Sequence, residues 1–367
     1  MKRPIAFISK SVAPMGGLEA DMIKCMRALS LAGHSVHVLY GFKQKGTDEA
    51  LAGCPNIQFH SIPMVKRPPV IGQIMLFHGI KKALPQLKKQ YPNLLTITLE
   101  RLPFGDIHIG AAPQSLWTQA RKRMGLSPFS QPAYRYWLKK MDQMVQRNPN
   151  HTLVIFSERD RLALIDAGVS ESHVVRLLIP TDTQRFLPND ASKRNYITII
   201  GANPKLKGIS LMLQAWPEIS RQHPALTLRI VTKGWKVRKL VEQADAEKIE
   251  LCEFIPNVEY YYQTSRILVA PSMFETWGNV IPEALASGVP VVTTLHVPAH
   301  ELICHPLHGV TITQEDSKML TEAICNTLNQ PMDPPSQAFR HQRVIEYMTK
   351  FPNLVDWLAD YAKEEIS

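Results

Sequence analysis

Short apolar runs rich in β-branched residues recur along the chain, and the stretches between them repeat apolar residues every three or four positions. In the first half, Ile5–Ser9, Ser35–Tyr40, Leu94–Leu99, Asp106–Ala111, Thr152–Ser157 and Val174–Ile179 are predicted to be strands. Between the first two, Leu18, Met22, Cys25, Met26 and Leu29 fall on one helical face, and Gly33 stands where a helix end favours glycine. Pro180 to Asn189, with two prolines, interrupts the pattern. It restarts with Tyr196–Gly201, Thr227–Lys233, Ile267–Ser272 and Val289–Thr294. Two strand–helix–strand series joined by a short linker predict an α/β protein with two Rossmann-like, doubly wound domains facing across a cleft. Their expected bounds are 1–180 and 181–345. A final segment, 346–367, is expected to be helical, with Leu354–Ile366 crossing back to the first domain.

Composition agrees with a folded two-domain protein, because 367 residues exceed what one ordinary core serves. No apolar run approaches the ~18 residues of a membrane span. The five-residue apolar stretch before Ser9 reads as a strand and not as a signal peptide, so a cytoplasmic protein is expected. Cys25, Cys54, Cys252, Cys304 and Cys325 are scattered, with no C-x-x-C spacing, which predicts neither a disulfide framework nor a zinc site. Charge changes the picture more. Residues 1–180 hold 24 Lys and Arg against 11 Asp and Glu, whereas residues 181–367 hold 18 against 21. The positive excess lies wholly in the first half, which predicts an anionic partner there.

Candidate chemistry gathers at predicted strand ends, where such sheets bind ligands. Residues 267–294, ILVAPSMFETWGNVIPEALASGVPVVTT, run from a buried strand through a loop holding Glu275. A helix follows that opens near Gly278, Asn279 and Val280 and carries Glu283. Amide groups at such a helix start suit a diphosphate, and a nearby carboxylate suits ribose hydroxyls. On spacing alone, Glu283 equally reads as an ordinary first-turn acid and Glu275 as a solvated one. Gly16 and Gly17, followed by Glu19, sit between a strand and a helix, an arrangement that admits phosphate but also describes a plain tight turn. In GANPKLKG, residues 201–208, Lys205 and Lys207 follow another strand as candidates for neutralising a departing diphosphate, or as solvated surface charge. Asp106, with Glu100, Arg101 and His108, forms a fourth polar group near strand ends. No D-x-D occurs, so no metal is expected on the diphosphate.

The segment from Pro271 to Val292 resembles the E-x7-E signature of the large retaining glycosyltransferase family 4, whose fold is GT-B. Every fixed position of P-S-x-x-E-x-x-G-x-x-x-x-E-A-x-A-x-G-x-P-V-V is present. The resemblance implies that Glu283 holds the nucleotide ribose, that Glu275 lies against the donor sugar, and that the Gly278–Val280 amides meet its hydroxyls and phosphates. It further implies that Gly16, Gly17 and Glu19 match a G-G-x-E loop near the donor diphosphate. Lys207 and Gly208 match half of a G-R…K-G pattern, but Ala202 stands where arginine is expected, and Lys205 is the candidate substitute.

The glycine loop and residues 99–117 resemble, within that family, the branch that begins the outer core of lipopolysaccharide with glucose. That implies a UDP-sugar donor, no cofactor, and an anionic glycolipid acceptor at the cytoplasmic face of a bacterial inner membrane. The composition of two windows suits such a surface. Residues 66–89 carry Lys66, Arg67, Lys81, Lys82, Lys88 and Lys89 with no acid. Residues 117–147 mix Arg121, Lys122, Arg123, Arg135, Lys139, Lys140 and Arg147 with Trp117, Phe129, Tyr134, Tyr136 and Trp137. A nucleic-acid partner is not expected, since the site motifs point to a sugar nucleotide. Asp106 joins Glu275 and Lys207 as a candidate catalytic group. The rival functions are a degenerate adaptor, a nucleotide-sugar epimerase or a phosphorylase.

Overall fold

The computed structural model describes every residue except 1, 15–16, 100, 128–130, 149, 191–193, 202, 233–234, 245–246, 254, 256 and 364–367. The chain divides into two compact units. The first comprises Met1–Gln119, Leu126–Pro180 and Phe351–Ser367, and the second Ala120–Gly125 and Thr181–Lys350.

The first unit is built on β1 (Ile5–Val12), β2 (Val36–Lys43), β3 (Ile57–Ser61), β4 (Leu95–Thr98), β5 (Ile107–Ile109), β6 (Thr152–Ile155) and β7 (Val174–Arg176). Among the described residues these make one parallel sheet in the order β3-β2-β1-β4-β5-β6-β7. The second unit holds β8 (Tyr196–Ile200), β9 (Thr227–Val231), β10 (Ile249–Cys252), β11 (Ser265–Ala270), β12 (Val291–Thr294) and β13 (Gly309–Ile312). They too run parallel, in the order β10-β9-β8-β11-β12-β13. Each sheet therefore reverses its winding once, between β1 and β4 in the first and between β8 and β11 in the second.

Central strands of such sheets are covered on both faces and so read as continuous apolar runs. Ile5, Phe7 and Ile8 are fully buried, as are Leu268 and Val269. The core of the second unit joins Ile197, Ile230, Ile267 and Val292 of the sheet to Met212, Trp216 and Ile219 of the helix Ile209–Gln222. Each such buried side chain is worth roughly 1.5–3 kcal/mol. Three edge strands, β3, β10 and β13, lie outside the apolar runs that mark the others. Their sequences, IQFHS, IELC and GVTI, alternate in polarity or open on glycine, and most of their residues are only partly buried.

The C-terminal helix Leu354–Tyr361 belongs to the first unit. Leu178 forms a parallel bridge with Asn353: its N–H donates to the Pro352 carbonyl at 2.9 Å and its carbonyl accepts from Leu354 N–H at 2.8 Å. Leu354 and Leu358 bury themselves where this helix meets the helix Leu18–Leu31.

Candidate functional site in the second unit

The second sheet reverses at β8 and β11, and the loops leaving their carboxyl ends bring the predicted charges together. Lys207 Nζ, after β8, pairs with Glu275 Oε1, after β11, although 68 positions separate them. The pair is largely but not wholly covered, with side chains 23% and 17% exposed, so a ligand can still reach it. Two glycines explain how Lys207 reaches this place. A side chain at Gly201 would collide with the Lys207 stem, 2.3 Å from its Cγ. Gly208 has φ +69° and would put a Cβ 2.1 Å from the Pro271 carbonyl oxygen, so no other residue lets the two loops approach this closely. Backbone bonds then stitch the loops. Met273 N–H donates to Leu206 O at 2.8 Å, and Glu275 N–H donates to His296 O at 3.1 Å. Thr294 Oγ1 donates to Ser272 O at 2.7 Å.

Beyond Glu275 the chain drives Trp277 into the core, where it is 1% exposed and stacks on Tyr347 with centroids 5.8 Å apart. Gly278 and Asn279 lead into the helix Val280–Ala286, which therefore starts at Val280 with Asn279 as its cap, two residues later than the glycine suggests. Glu283 lies in its first turn, and its Oε2 accepts a hydrogen bond from the buried Tyr262 hydroxyl. Burial, reinforced by the Glu283 charge, holds the Tyr262 phenol well above its ordinary pKa. Lys205 is exposed on the turn before Lys207. Arg123 also groups with this unit: its Nη2 donates to Met273 O at 3.2 Å and its Nε lies 3.9 Å from Glu315 Oε1. Glu315 pairs in turn with His296. Position 202 lies outside the described residues.

Other predicted residues belong to the first unit. Gly16, Glu100 and Phe129 lie outside the described residues. Gly17 is exposed and precedes the helix Leu18–Leu31, with Glu19 in its first turn, beyond the carboxyl end of β1. Asp106 sits at the amino end of β5, opposite to where ligands bind such a sheet. Its Oδ2 accepts from Thr96 N–H at 2.8 Å and from Thr96 Oγ1 at 2.6 Å, which locks β5 onto β4. That placement gives it a structural task, not the chemical one expected of it. His108 is buried, 3.1 Å from His151 through ring nitrogens. Arg101 turns inward to Gln114 Oε1 at 2.6 Å, Ala112 O at 2.8 Å and Asp142 Oδ2 at 3.3 Å. Burial raises the Asp142 pKa, against the opposing pull of Arg101 and the Gln114 N–H.

Of the basic windows, Lys66, Arg67, Lys81, Lys82, Lys88, Lys89, Lys122, Lys139 and Lys140 are exposed, and Trp117, Arg121 and Arg135 are half-buried. Trp137 departs from its expected surface role. It packs edge-on against Phe77 at 5.5 Å beside the core residue Met141 four positions on, as helical spacing requires. Tyr136, 71% exposed, is the aromatic that this helix, Pro132–Gln146, presents to solvent.

Residues 194–330 match the family model described as Glycosyl transferases group 1. That span lies wholly within the second unit. The matched span contains Lys205, Lys207, Tyr262, Glu275 and Glu283. An uncharacterized glycosyltransferase of Haemophilus influenzae is 30% identical over 130 residues, which cover 34% of this chain and 37% of that protein. The chain thus spans about a third of the length of the first curated relatives it matches. The MMP alpha-(1->4)-mannosyltransferase of Mycolicibacterium hassiacum is 25% identical over 375 residues, 90% of each chain. Among solved structures, WaaG, a glycosyltransferase involved in lipopolysaccharide biosynthesis, superposes with TM-score 0.79 at 17% identity, covering 98% of this chain and 100% of its own. Anabaena HepE, solved in complex with UDP and glucose, gives 0.69 at 15% identity, covering 99% and 100%. These likenesses show the GT-B fold, to which the two parallel-sheet units correspond.

Proposed function

We propose that the protein is a retaining, metal-independent glycosyltransferase that moves a hexose, glucose first, from a UDP-sugar to an anionic lipid-linked saccharide such as a lipopolysaccharide core. The observation that carries this reading is the Lys207–Glu275 pair at the reversal point of the second sheet, within the span the family model matches, with Glu283 on the helix that follows. Negative charge grows on the diphosphate as its bond to the sugar breaks, and Lys207 stands where a cation stabilises that charge most. Lys205, on the same turn, adds a second positive group. Glu275 accepts sugar hydroxyls and keeps Lys207 in place until the diphosphate takes over part of that contact. Glu283 accepts the ribose hydroxyls. The acceptor hydroxyl attacks the anomeric carbon from the side the diphosphate leaves, its proton passes to the departing diphosphate, and configuration is kept.

The likeness to HepE in complex with UDP and glucose supports the choice of donor, and the likeness to WaaG supports the acceptor class. The first unit supplies a surface suited to an anionic membrane. Six exposed cations in 66–89 stand near exposed Val65 and Ile71 in the sequence, and exposed Lys139 and Lys140 accompany Tyr136. Each such cation is worth about 1 kcal/mol at an anionic bilayer. Among the described residues no helix is long and apolar enough to cross a membrane. The attachment belonging to this reading is peripheral, on the cytoplasmic face of a bacterial inner membrane.

A thermal-shift series with UDP, GDP, ADP, UDP-glucose and UDP-galactose, with and without EDTA, tests the donor half. Stabilisation by uridine compounds that survives EDTA and vanishes in Glu283→Ala is the expected result. No shift with any nucleotide would overturn the reading and favour an adaptor. Glucose transfer that requires an anionic glycolipid separates a transferase from an epimerase or a phosphorylase.

A further inference from the structure

Tyr262 is one of three consecutive tyrosines that the sequence gives no reason to tell apart. The structure separates them. Tyr260 is 47% exposed, and Tyr261 donates its hydroxyl to the Glu253 carbonyl at 2.6 Å. Tyr262 is fully buried and donates to Glu283 Oε2. Its ring meets Phe186 edge-on, with centroids 5.6 Å apart and planes at 81°. The short helix Glu259–Gln263 that carries it is gripped by Arg185, whose Nε and Nη2 donate to Glu259 Oε2 at 2.9 and 2.6 Å. With its phenol held above the ordinary value, Tyr262 remains a donor at any physiological pH.

A glutamate carboxylate turns softly about its last torsion, so an unheld one must be ordered each time it binds a diol. A donor fixed by burial on one oxygen removes that freedom in advance. We propose that Tyr262 is a positioning residue for nucleotide recognition: by holding Oε2 of Glu283 it sets the plane in which this carboxylate meets the vicinal hydroxyls of a ribose. It thereby supplies part of a preference for ribonucleotides over deoxyribonucleotides. The inference rests on the reading of Glu283 as the ribose ligand. Nothing in the sequence motif assigns Tyr262 this task, because the residue lies before β11, outside the E-x7-E frame.

Calorimetric titration of the full chain with UDP and with 2′-deoxy-UDP tests it, in wild type, Glu283→Ala and Tyr262→Phe. Tyr262→Phe keeps the ring against Phe186 and removes only the donor. Wild type is expected to prefer UDP by about tenfold or more, as a site built around a substrate hydroxyl does. Tyr262→Phe should lose about tenfold in UDP affinity and much less in 2′-deoxy-UDP affinity, which narrows the ratio. An unchanged ratio, with both affinities intact or both reduced equally, overturns the positioning role and leaves Glu283 as the ribose ligand. UDP binding that Glu283→Ala does not weaken overturns the reading of Glu283 and this inference together. Should Tyr262→Phe not fold, Phe186→Leu loosens the ring while keeping the hydroxyl. A narrowed ratio there supports the proposal, and an unchanged one overturns it.

Discussion

The two sheets reverse their winding in the same way but place different chemistry at the reversal. In the first, the loop after β4 carries Arg101, and that guanidinium spends its hydrogen bonds on Gln114, Ala112 and Asp142 of its own unit. In the second, Lys207 and Glu275 meet from the loops after β8 and β11, and the helix that follows carries a carboxylate held by a tyrosine. A shared topology therefore fixes where a ligand could bind, while the loops decide which groups stand there. The family model matches the second unit, the one whose reversal point pairs a lysine with a glutamate across two loops.

The sharpest way to break this comparison is to remove one cation from each reversal point. Lys207→Ala should lower kcat/KM for the UDP-sugar by about 10²–10³ with a melting temperature within a few degrees of wild type. Arg101→Ala should instead lower the melting temperature and leave UDP affinity within about twofold. Equal effects on donor kinetics would erase the distinction. Next in size is Gly208→Ala. It forces a Cβ against the Pro271 carbonyl at a positive φ and should cost about 3 kcal/mol in urea unfolding, weakening UDP binding with it.

Acid should affect the second unit through His308. Burial, then Arg343, His305 and Arg340, push this imidazole down to about 4 from the ordinary 6.5. The unfolded chain takes the proton first, so the stability from this group is whole above pH 6.5 and is lost as pH falls toward about 4. Unfolding free energy should drop by about 3 kcal/mol at most over that window, and His308→Gln should flatten the profile. Smallest is Asp106→Ala, which removes the two bonds to Thr96. It should cost about 1–2 kcal/mol of stability and leave donor turnover within about twofold. A large loss of turnover would restore Asp106 to the chemistry.

The central strands were legible because strands covered on both faces must be apolar throughout, as IAFI of β1 and ILVA of β11 are. The edge strands β3, β10 and β13 escaped notice because half-covered backbone tolerates polar residues and glycine. Glu275, Glu283 and Lys207 could be nominated from motif spacing. Their pairing could not, since Lys207 and Glu275 meet only when β8 and β11 become neighbours. For the same reason Tyr262 was invisible and Trp137 misread: an aromatic among basic residues looks the same in sequence whether it faces Phe77 or water. Asp106 was misread although it opens its strand, because its bonds to Thr96 exist only once β4 and β5 are neighbours.

The bridge between Leu178 and Asn353 bears on the order in which the molecule can be made. Among the described residues every strand of the second sheet lies between residues 196 and 312, so that sheet can be complete before Asn353 is made. The first unit cannot. Its neighbour for Leu178 is synthesised 175 residues later, which at ~5–20 residues per second is a delay of roughly 10–35 s. Throughout that interval the helix Leu18–Leu31 lacks the cover of Leu354 and Leu358. The unit begun first is thus the last to finish, and for those seconds the nascent chain offers an apolar face to any chaperone waiting at the tunnel exit.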